Sequence, residues 1–125
     1  AIRYTAAKTT GRIVFHVEKR AGAKNLKRAK EIFVDLGLRE AEHKNSVLFL
    51  VTTADKRFTV VGDDGINEKV TQEFWDNVVS AVTAKFAEKE YGIGLAGGIN
   101  LVAEKLAEFF PAGGAGDDIL QGVSF

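Results

Sequence analysis

An unbroken apolar run at residues 47–51 (VLFLV) constrains the fold of this 125-residue chain more than any other feature. The run is rich in strand formers, and its continuous apolar character is typical of a strand covered on both faces. Polar turn residues follow at 54–57, and residues 58–61 predict a second strand that returns beside the first. Because the turn is short, we expect these two strands to pair antiparallel.

A strand and a helix precede this hairpin. Residues 12–18 alternate, with Ile13, Phe15 and Val17 on one face, which predicts the first strand. A helix should begin at Asn25 as its cap and end near Gly37, with an apolar stripe formed by Leu26, Ala29, Ile32, Phe33 and Leu36. A strand–helix–strand order forms a right-handed crossover, so residues 12–18 and 47–51 should be parallel neighbours.

The remaining segments are mostly helical by pattern. Residues 1–8 are interpreted as the end of a helix that stops at Gly11, and Thr71 should cap a long helix. We predict a glycine-rich break at 91–98 and a last helix that ends before Pro111. The glycine-rich composition of 112–125 predicts a flexible tail.

These elements predict a single domain over residues 1–125. Its fold class is α/β, a three-layer α/β/α sandwich around a mixed, mostly parallel sheet of about four strands. The large apolar side chains that we expect in the core are Phe33, Leu48, Leu50, Phe58, Trp75, Val79 and Leu106.

Composition excludes several classes of function. The chain has 17 basic and 17 acidic residues, and this zero net charge argues against nucleic acid as a partner. It has no cysteine, which excludes disulfides and thiol chemistry. No apolar run is long enough for membrane insertion. The start at Ala1, without any methionine, suggests that part of the N-terminus is missing. We expect a monomer, favour the cytoplasm over a processed exported protein, and identify no protein partner.

Two apparent motifs carry little weight. Residues 92–97 spell G-x-G-x-x-G, but the pattern follows a helix instead of a strand, so close helix packing explains it better than nucleotide binding. His16 and His43 lack metal-binding partners in sequence, and we interpret them as a hydrogen-bonded strand residue and a surface residue.

The order of local segments resembles the TPM domain family, which includes thylakoid-lumen phosphatase-like proteins and many small bacterial proteins. The segments that carry this resemblance are 10–13 (TGRI), 33–38 (FVDLGL), 45–48 (NSVL), 55–58 (DKRF), 61–66 (VGDDGI) and 74–75 (FW). The chain end, with Phe110-Pro111 and Asp117-Asp118-Ile119, is similar to that of shorter members. Two departures stand out. The family commonly carries Glu at the positions of Ala7 and Arg12, and it usually has an acidic N-E-L step after Ile119, where this chain has Leu120-Gln121-Gly122.

The candidate site is the acidic turn, defined here as residues 62–65 (GDDG). Asp63 and Asp64 lie at the C-terminal end of a strand, where ligands of open α/β sheets tend to bind, and carboxylates in a glycine-flanked turn suit a hard cation such as calcium or magnesium. We expect Trp75 to be a core anchor beneath this turn. The alternative is that this segment is only favourable turn chemistry that caps the next helix. The resemblance implies a divalent-cation site here, to which Asp117 and Asp118 could contribute as further metal ligands.

We therefore expect a small binding module with a weak divalent-cation site. Its affinity should be reduced by Ala7 and Arg12, which replace acidic residues of the family. One alternative is an enzyme, a metal-assisted phosphatase, as the resemblance also implies. No nucleophile or phosphate clamp is evident in the sequence to support it. The other alternative is a scaffold or interaction domain that has lost the ion.

Overall fold

The structure, a computed structural model, describes residues 2–4, 9–20, 24–54 and 56–111, and only the backbone at 2–4. Its strands are β1 (Ile2–Tyr4), β2 (Arg12–Glu18), β3 (Ser46–Thr52) and β4 (Arg57–Gly62). Its α-helices are α1 (Asn25–Asp35), α2 (Asp64–Asn67), α3 (Gln72–Ala87) and α4 (Tyr91–Phe109), and a 3₁₀ turn lies at Leu38–Glu40.

The sheet has the order β1-β2-β3-β4 and is mixed, as predicted. β2 and β3 are parallel, with Ile13 opposite Val47, and β4 runs antiparallel to β3, with Gly62 opposite Val47. β1 adds three residues antiparallel to β2. The prediction of a mostly parallel sheet is therefore wrong, because the central pair is the one parallel pair among the described strands. Short turns and edge additions favour antiparallel pairing.

The N-terminal prediction also fails where it can be compared. Ile2–Tyr4 is a strand instead of a helix end, and residues 5–8 lie outside the described part. Its backbone pairs with residues 13–15 of β2. This pairing joins residues that are distant along the chain, so a local pattern does not reveal it.

The two faces of the sheet pack against different helices, which gives the predicted three layers. β3 is buried on both faces: Val47 and Phe49 contact the α3 and α4 side, while Leu48 and Leu50 contact the α1 side. The first side also buries Ile13, Phe15, Phe58, Trp75, Val78, Val82 and Leu106. The second side buries Val14, Ala29, Ile32, Phe33 and Leu38.

Most of the predicted core is confirmed. Phe33, Leu48, Leu50, Phe58, Trp75 and Leu106 are buried, whereas Val79 is half-buried against the same cluster. Two details of α1 differ from the prediction. Its cap residue is Lys24 instead of Asn25, and Leu26 is 53% exposed because it faces a groove beside β4. Gly37 ends this region with a φ of 70°, a left-handed conformation that favours glycine.

The glycine-rich segment 91–98 is helical and belongs to α4, so the predicted break is wrong. Glycine is tolerated here because α4 lies very close to α3. A Cβ added to Gly98 would lie 2.7 Å from Val82 Cγ2, and one added to Gly94 would lie 3.0 Å from the Val82 carbonyl oxygen. The predicted close helix packing is therefore confirmed. The chain reverses just before this helix, where Lys89 has a φ of 61°.

Within the described part of the chain, no helix is both long enough and apolar enough to cross a bilayer.

Candidate functional site: the acidic turn after β4

The acidic turn lies at the end of the sheet where the parallel strands begin. β4 is antiparallel to β3, so its last residue, Gly62, pairs with Val47 near the start of β3. Ligands of parallel sheets bind at the opposite end, where the strands finish. The expectation that the turn occupies that preferred end is therefore wrong, and the turn must be judged on its own geometry.

Asp63 is the buried residue of the turn, with only 4% of its surface exposed. Its Oδ1 accepts a 2.8 Å hydrogen bond from the Asp64 N–H at the start of α2, so it caps this short helix. Its own N–H donates to the Ser46 carbonyl oxygen at 3.0 Å. The prediction that the turn caps the next helix is confirmed.

The second carboxylate oxygen of Asp63 has a different environment. Oδ2 is buried, and among the described residues it has no hydrogen-bond partner. A buried carboxylate oxygen without a donor or a cation is costly, because it has lost its water and gained nothing in return. Asp64, by contrast, exposes 74% of its side chain. The two neighbouring acids therefore differ strongly in burial.

The backbone of the turn is held against the loop that precedes β3. The Ile66 N–H donates to the Lys44 carbonyl oxygen at 3.3 Å. A Cβ added to Gly65 would lie 2.0 Å from the His43 carbonyl oxygen, so no larger residue fits without a shift of the backbone. Lys44 itself has a φ of 51°. These contacts place the His43 and Lys44 carbonyl groups against the backbone of Gly65 and Ile66.

Trp75 anchors the turn from below, as predicted. Its Nε1–H donates to Asn67 Oδ1 at 2.9 Å, and Asn67 Nδ2 donates to the Gly62 carbonyl oxygen at 2.8 Å. The Trp75 ring also packs on Gly62, where it leaves no room for a Cβ. The tryptophan thus connects α3 to the acidic turn through one asparagine, a residue that the sequence analysis did not identify.

Arg39 is the second residue that the sequence analysis missed. Its Nη2 lies 3.3 Å from Asp64 Oδ2 and 3.8 Å from Asp63 Oδ1, so one guanidinium contacts both carboxylates. The contact joins residues 24 or more positions apart, and no local spacing signals it. The left-handed Gly37 could have indicated a chain reversal here, but not its target. Lys30 and Arg39 line one cavity of about 290 Å³ together with Asp63 and Asp64.

Of the other residues that the sequence analysis linked to cation binding, only Arg12 lies in the described part of the chain. Asp117, Asp118 and Ala7 lie outside the described residues. Arg12 pairs with Ser46, whose carbonyl binds Asp63, so it lies at the same end of the sheet as the turn. Across the described ranges, no three His, Cys, Asp or Glu residues form a group that could hold a metal ion. The described residues therefore supply two carboxylates here.

A separate polar cluster lies where β2 finishes. Arg28 of α1 binds Glu18 through Nε, which is 3.1 Å from Oε1 and 3.0 Å from Oε2, and also through Nη2. His16 Nε2 lies 3.2 Å from Glu18 Oε1, which confirms the predicted hydrogen-bonded strand histidine. Hydrogen bonds from Arg28 hold the pKa of Glu18 below its usual value, against the opposing effect of burial, and His16 adds to the lowering. The same contact raises the pKa of Arg28. His43 is on the surface, as predicted.

The comparisons agree with the fold and with the ordered motifs. The profile of the TPM domain family matches residues 1–105, and the chain belongs to this family. The NMR structure of BA42 protein from the psychrophilic bacterium Bizionia argentinensis sp. nov. is similar, with a TM-score of 0.79 and 34% sequence identity. The similarity covers 90% of this chain and 77% of that one. No curated protein matches the chain.

Proposed function

We propose that the acidic turn binds a divalent cation, calcium or magnesium, with low affinity, and that the domain is a cation-binding module. The observation that supports this proposal is the buried, unpartnered Oδ2 of Asp63 beside the exposed carboxylate of Asp64. Two adjacent carboxylates repel each other, and a divalent cation relieves this repulsion. The cation would also give the buried Oδ2 of Asp63 a partner.

The number of ligands argues for weak binding. Calcium takes six to eight oxygen ligands, and affinity falls as fewer of them are charged. The described residues provide Asp63 and Asp64, and main-chain carbonyls and water would complete the shell. Asp117 and Asp118 are proposed as further ligands. Arg12, at the same end of the sheet, adds positive charge where the family commonly has an acid, which disfavours a cation.

One specific contact supports the scaffold alternative. The Arg39 guanidinium lies within 4 Å of both carboxylates and already provides positive charge. If Arg39 has taken the place of the ion, the turn is a structural element alone. The two candidates make opposite predictions for an Arg39→Gln variant. If the turn binds a cation, removal of the guanidinium should strengthen that binding. If the turn is only a structural element, the removal should destabilise it and no cation should bind.

The experiment is a titration of the full chain with calcium, magnesium and manganese in turn. Amide chemical shifts and the melting temperature are measured at each concentration. We expect shifts at residues 62–65, and a melting temperature that rises by roughly 5 °C at a tenfold excess over the Kd. Asp63→Asn keeps a capping oxygen and should abolish both effects. Asp76→Asn, the same change on the exposed face of α3, is the matched control and should retain them.

The result that contradicts the proposal is equally clear. If millimolar amounts of all three cations leave the amides of 62–65 unchanged, and Arg39→Gln does not restore binding, the cation-binding function is wrong and the scaffold function stands. If Arg39→Gln binds a cation that the parent chain does not, the turn has cation ligands that Arg39 occupies in the parent chain, and the parent chain is not a cation-binding module.

A further inference from the structure

β4 is an edge strand, and its hydrogen-bonding pattern shows which groups it presents outward. The Asp63 N–H donates to the Ser46 carbonyl, so these opposed residues form a hydrogen-bonded pair. Opposed residues of antiparallel strands alternate between hydrogen-bonded and non-hydrogen-bonded pairs. The pairs alternate from Asp63 back along β4, so the N–H and C=O groups of Val61 and Thr59 bond to β3. The N–H and C=O groups of Val60 and Phe58 point away from β3.

Backbone groups that point outward from an edge strand can form hydrogen bonds with an added strand. Asn67 occupies the Gly62 carbonyl. In the part of the chain that the structure describes, no hydrogen bond occupies the outward groups of Phe58 and Val60. Natural edge strands are usually protected by proline, by charged side chains along the strand, or by a covering element. β4 (RFTVVG) has no proline, and its one charged residue, Arg57, is its first.

A groove runs along this edge between α1 and the start of α3. It has a volume of about 440 Å³ and is lined by Val60 and Val61 of β4, Leu26 of α1, and Val70 and Trp75 on the α3 side. Leu26 is 53% exposed, so a large apolar side chain of α1 is open to the groove. The groove continues into the 290 Å³ cavity of the acidic turn, with which it shares Lys30, Val61 and Gly62.

Charge defines the kind of ligand that fits. Among the described residues that line the 440 Å³ groove, Lys30 is the only charged one, and Asn67, Thr71 and Gln72 are polar. No ion-pair partner of Lys30 is found among the described side chains, whereas Arg28 on the same helix is paired with Glu18 and Glu31. An ammonium group without such a partner, in a groove of mixed polar and apolar lining, favours a ligand with a carboxylate opposite it.

We propose that the β4 edge binds an extended segment of another protein as an added strand. The segment carries apolar side chains at alternate positions, which enter the groove over Val60 and Trp75, and an acidic residue that faces Lys30. Phe58 is only 6% exposed, so main-chain hydrogen bonds to the half-buried Val60 provide most of the affinity, and the groove provides specificity, as in other cases of strand addition. This inference rests on the edge and the groove and is independent of cation binding.

The probe is a capped peptide of about nine residues in which valine alternates with glutamate and serine. The control peptide has lysine in place of each glutamate. Trp75 is the single tryptophan of the chain and lines the groove, so its fluorescence reports binding. Amide shifts of uniformly labelled full chain give the finer readout. The outward amides of Phe58 and Val60 should move much more than the inward amides of Thr59 and Val61.

Two variants and one modified peptide test the contacts. Lys30→Glu should weaken binding of the acidic peptide at least about tenfold. Lys105→Glu, on α4, whose described residues do not line the groove, should have no effect. Val60→Pro removes one outward N–H, a position where edge strands tolerate proline. Should that variant fail to fold, N-methylation of alternate residues of the peptide removes the same bonds from the other side and should abolish binding.

Several results would overturn the proposal. They are the absence of any amide or fluorescence change up to ~1 mM peptide, equal binding of the lysine peptide, and retained binding of the N-methylated peptide. Concentration-dependent self-association that protects Phe58 and Val60 would assign the edge to a second copy of the chain. Protection of these amides from exchange in the free monomer would show that the edge is already covered.

Discussion

Asp63 combines two roles that are rarely held by one side chain. Through Oδ1 it caps α2, which is ordinary for an aspartate before a helix. Through Oδ2 it keeps a buried oxygen unpaired among the described residues, which is not ordinary. Asn67 and Trp75 hold the adjacent backbone at Gly62 in place. The unpartnered Oδ2 is what makes Asp63 a candidate ligand.

Glu18 should make the stability of the protein depend on pH. Its pKa is lower in the folded chain than the ordinary 4.5, chiefly because Arg28 donates hydrogen bonds to it. A carboxyl group with a lowered folded-state pKa contributes stability above its unfolded pKa, and this contribution is lost as the pH falls through the folded pKa. Glu18→Gln should therefore lower the melting temperature at neutral pH, and its difference from the parent chain should shrink below about pH 4.

Melting temperatures of the parent chain and the variant, measured between about pH 7 and pH 3, check this prediction. The Arg28→Gln variant should lose the same pH-dependent component, and the double variant should lose little more than either single one. A difference between Glu18→Gln and the parent chain that stays constant across this range would show that the ion pair does not contribute.

At the scale of elements, α4 contains two kinds of glycine. Gly98 faces α3 and the sheet, and a Cβ there would approach Val82 Cγ2 to 2.7 Å and Phe49 Cε2 to 3.3 Å. A Cβ at Gly97 would meet nothing within 4 Å. The two residues are neighbours in one helix, so they form a matched pair that separates packing from helix propensity.

We expect Gly98→Ala to destabilise the protein by about 1–3 kcal/mol, because the added methyl group overpacks the contact between α3 and α4. Gly97→Ala should stabilise it by up to about 1 kcal/mol, since alanine favours the helix and fits in open space. Urea unfolding of the two variants checks both signs. If Gly98→Ala proves as stable as Gly97→Ala, the close helix contact is not as the structure describes it.

At the scale of the whole molecule, the architecture separates the Glu18 cluster from two adjoining surfaces, the acidic turn and the β4 edge. The acidic turn lies where β2 and β3 begin, the Glu18 cluster lies where they finish, and the edge of β4, unpaired among the described strands, runs between these ends. A cation at the turn and a peptide at the edge would therefore use different parts of one strand. The continuous groove between them, with Lys30 common to both cavities, is the physical path by which one ligand could influence the other.

The 290 Å³ cavity bears on the phosphatase alternative. It is lined by no hydroxyl or thiol group from the described residues, its Arg39 is engaged by two carboxylates, and Lys30 is the one cation of its lining without an ion-pair partner among them. Phosphoryl transfer depends on several groups positioned together around the phosphate. We expect little turnover of p-nitrophenyl phosphate by the full chain, with or without calcium or magnesium. Turnover that Asp63→Ala abolishes, and Asp76→Ala does not, would reverse this conclusion.

Much of the fold could be predicted from the sequence because its signals are local. The run at 47–51 predicted a strand buried on both faces, and the alternation at 12–18 predicted the two faces of β2. Thr71 predicted the start of α3, and its Oγ1 accepts a 3.2 Å hydrogen bond from the Phe74 N–H. The crossover rule then predicted the parallel pair. The ordered motifs predicted the TPM domain family, which the match over residues 1–105 confirms.

Tertiary structure alone decided the rest, because the deciding contacts join residues far apart in the chain. Ile2–Tyr4 is a strand because β2 offers it an edge, and the glycines of segment 91–98 lie within a helix because they let α4 pack closely on α3 at Gly94 and Gly98. The sequence by itself placed two carboxylates in a turn. Only the folded chain buried one of them, exposed the other, brought Arg39 to both, and left the edge of β4 unpaired among the described strands.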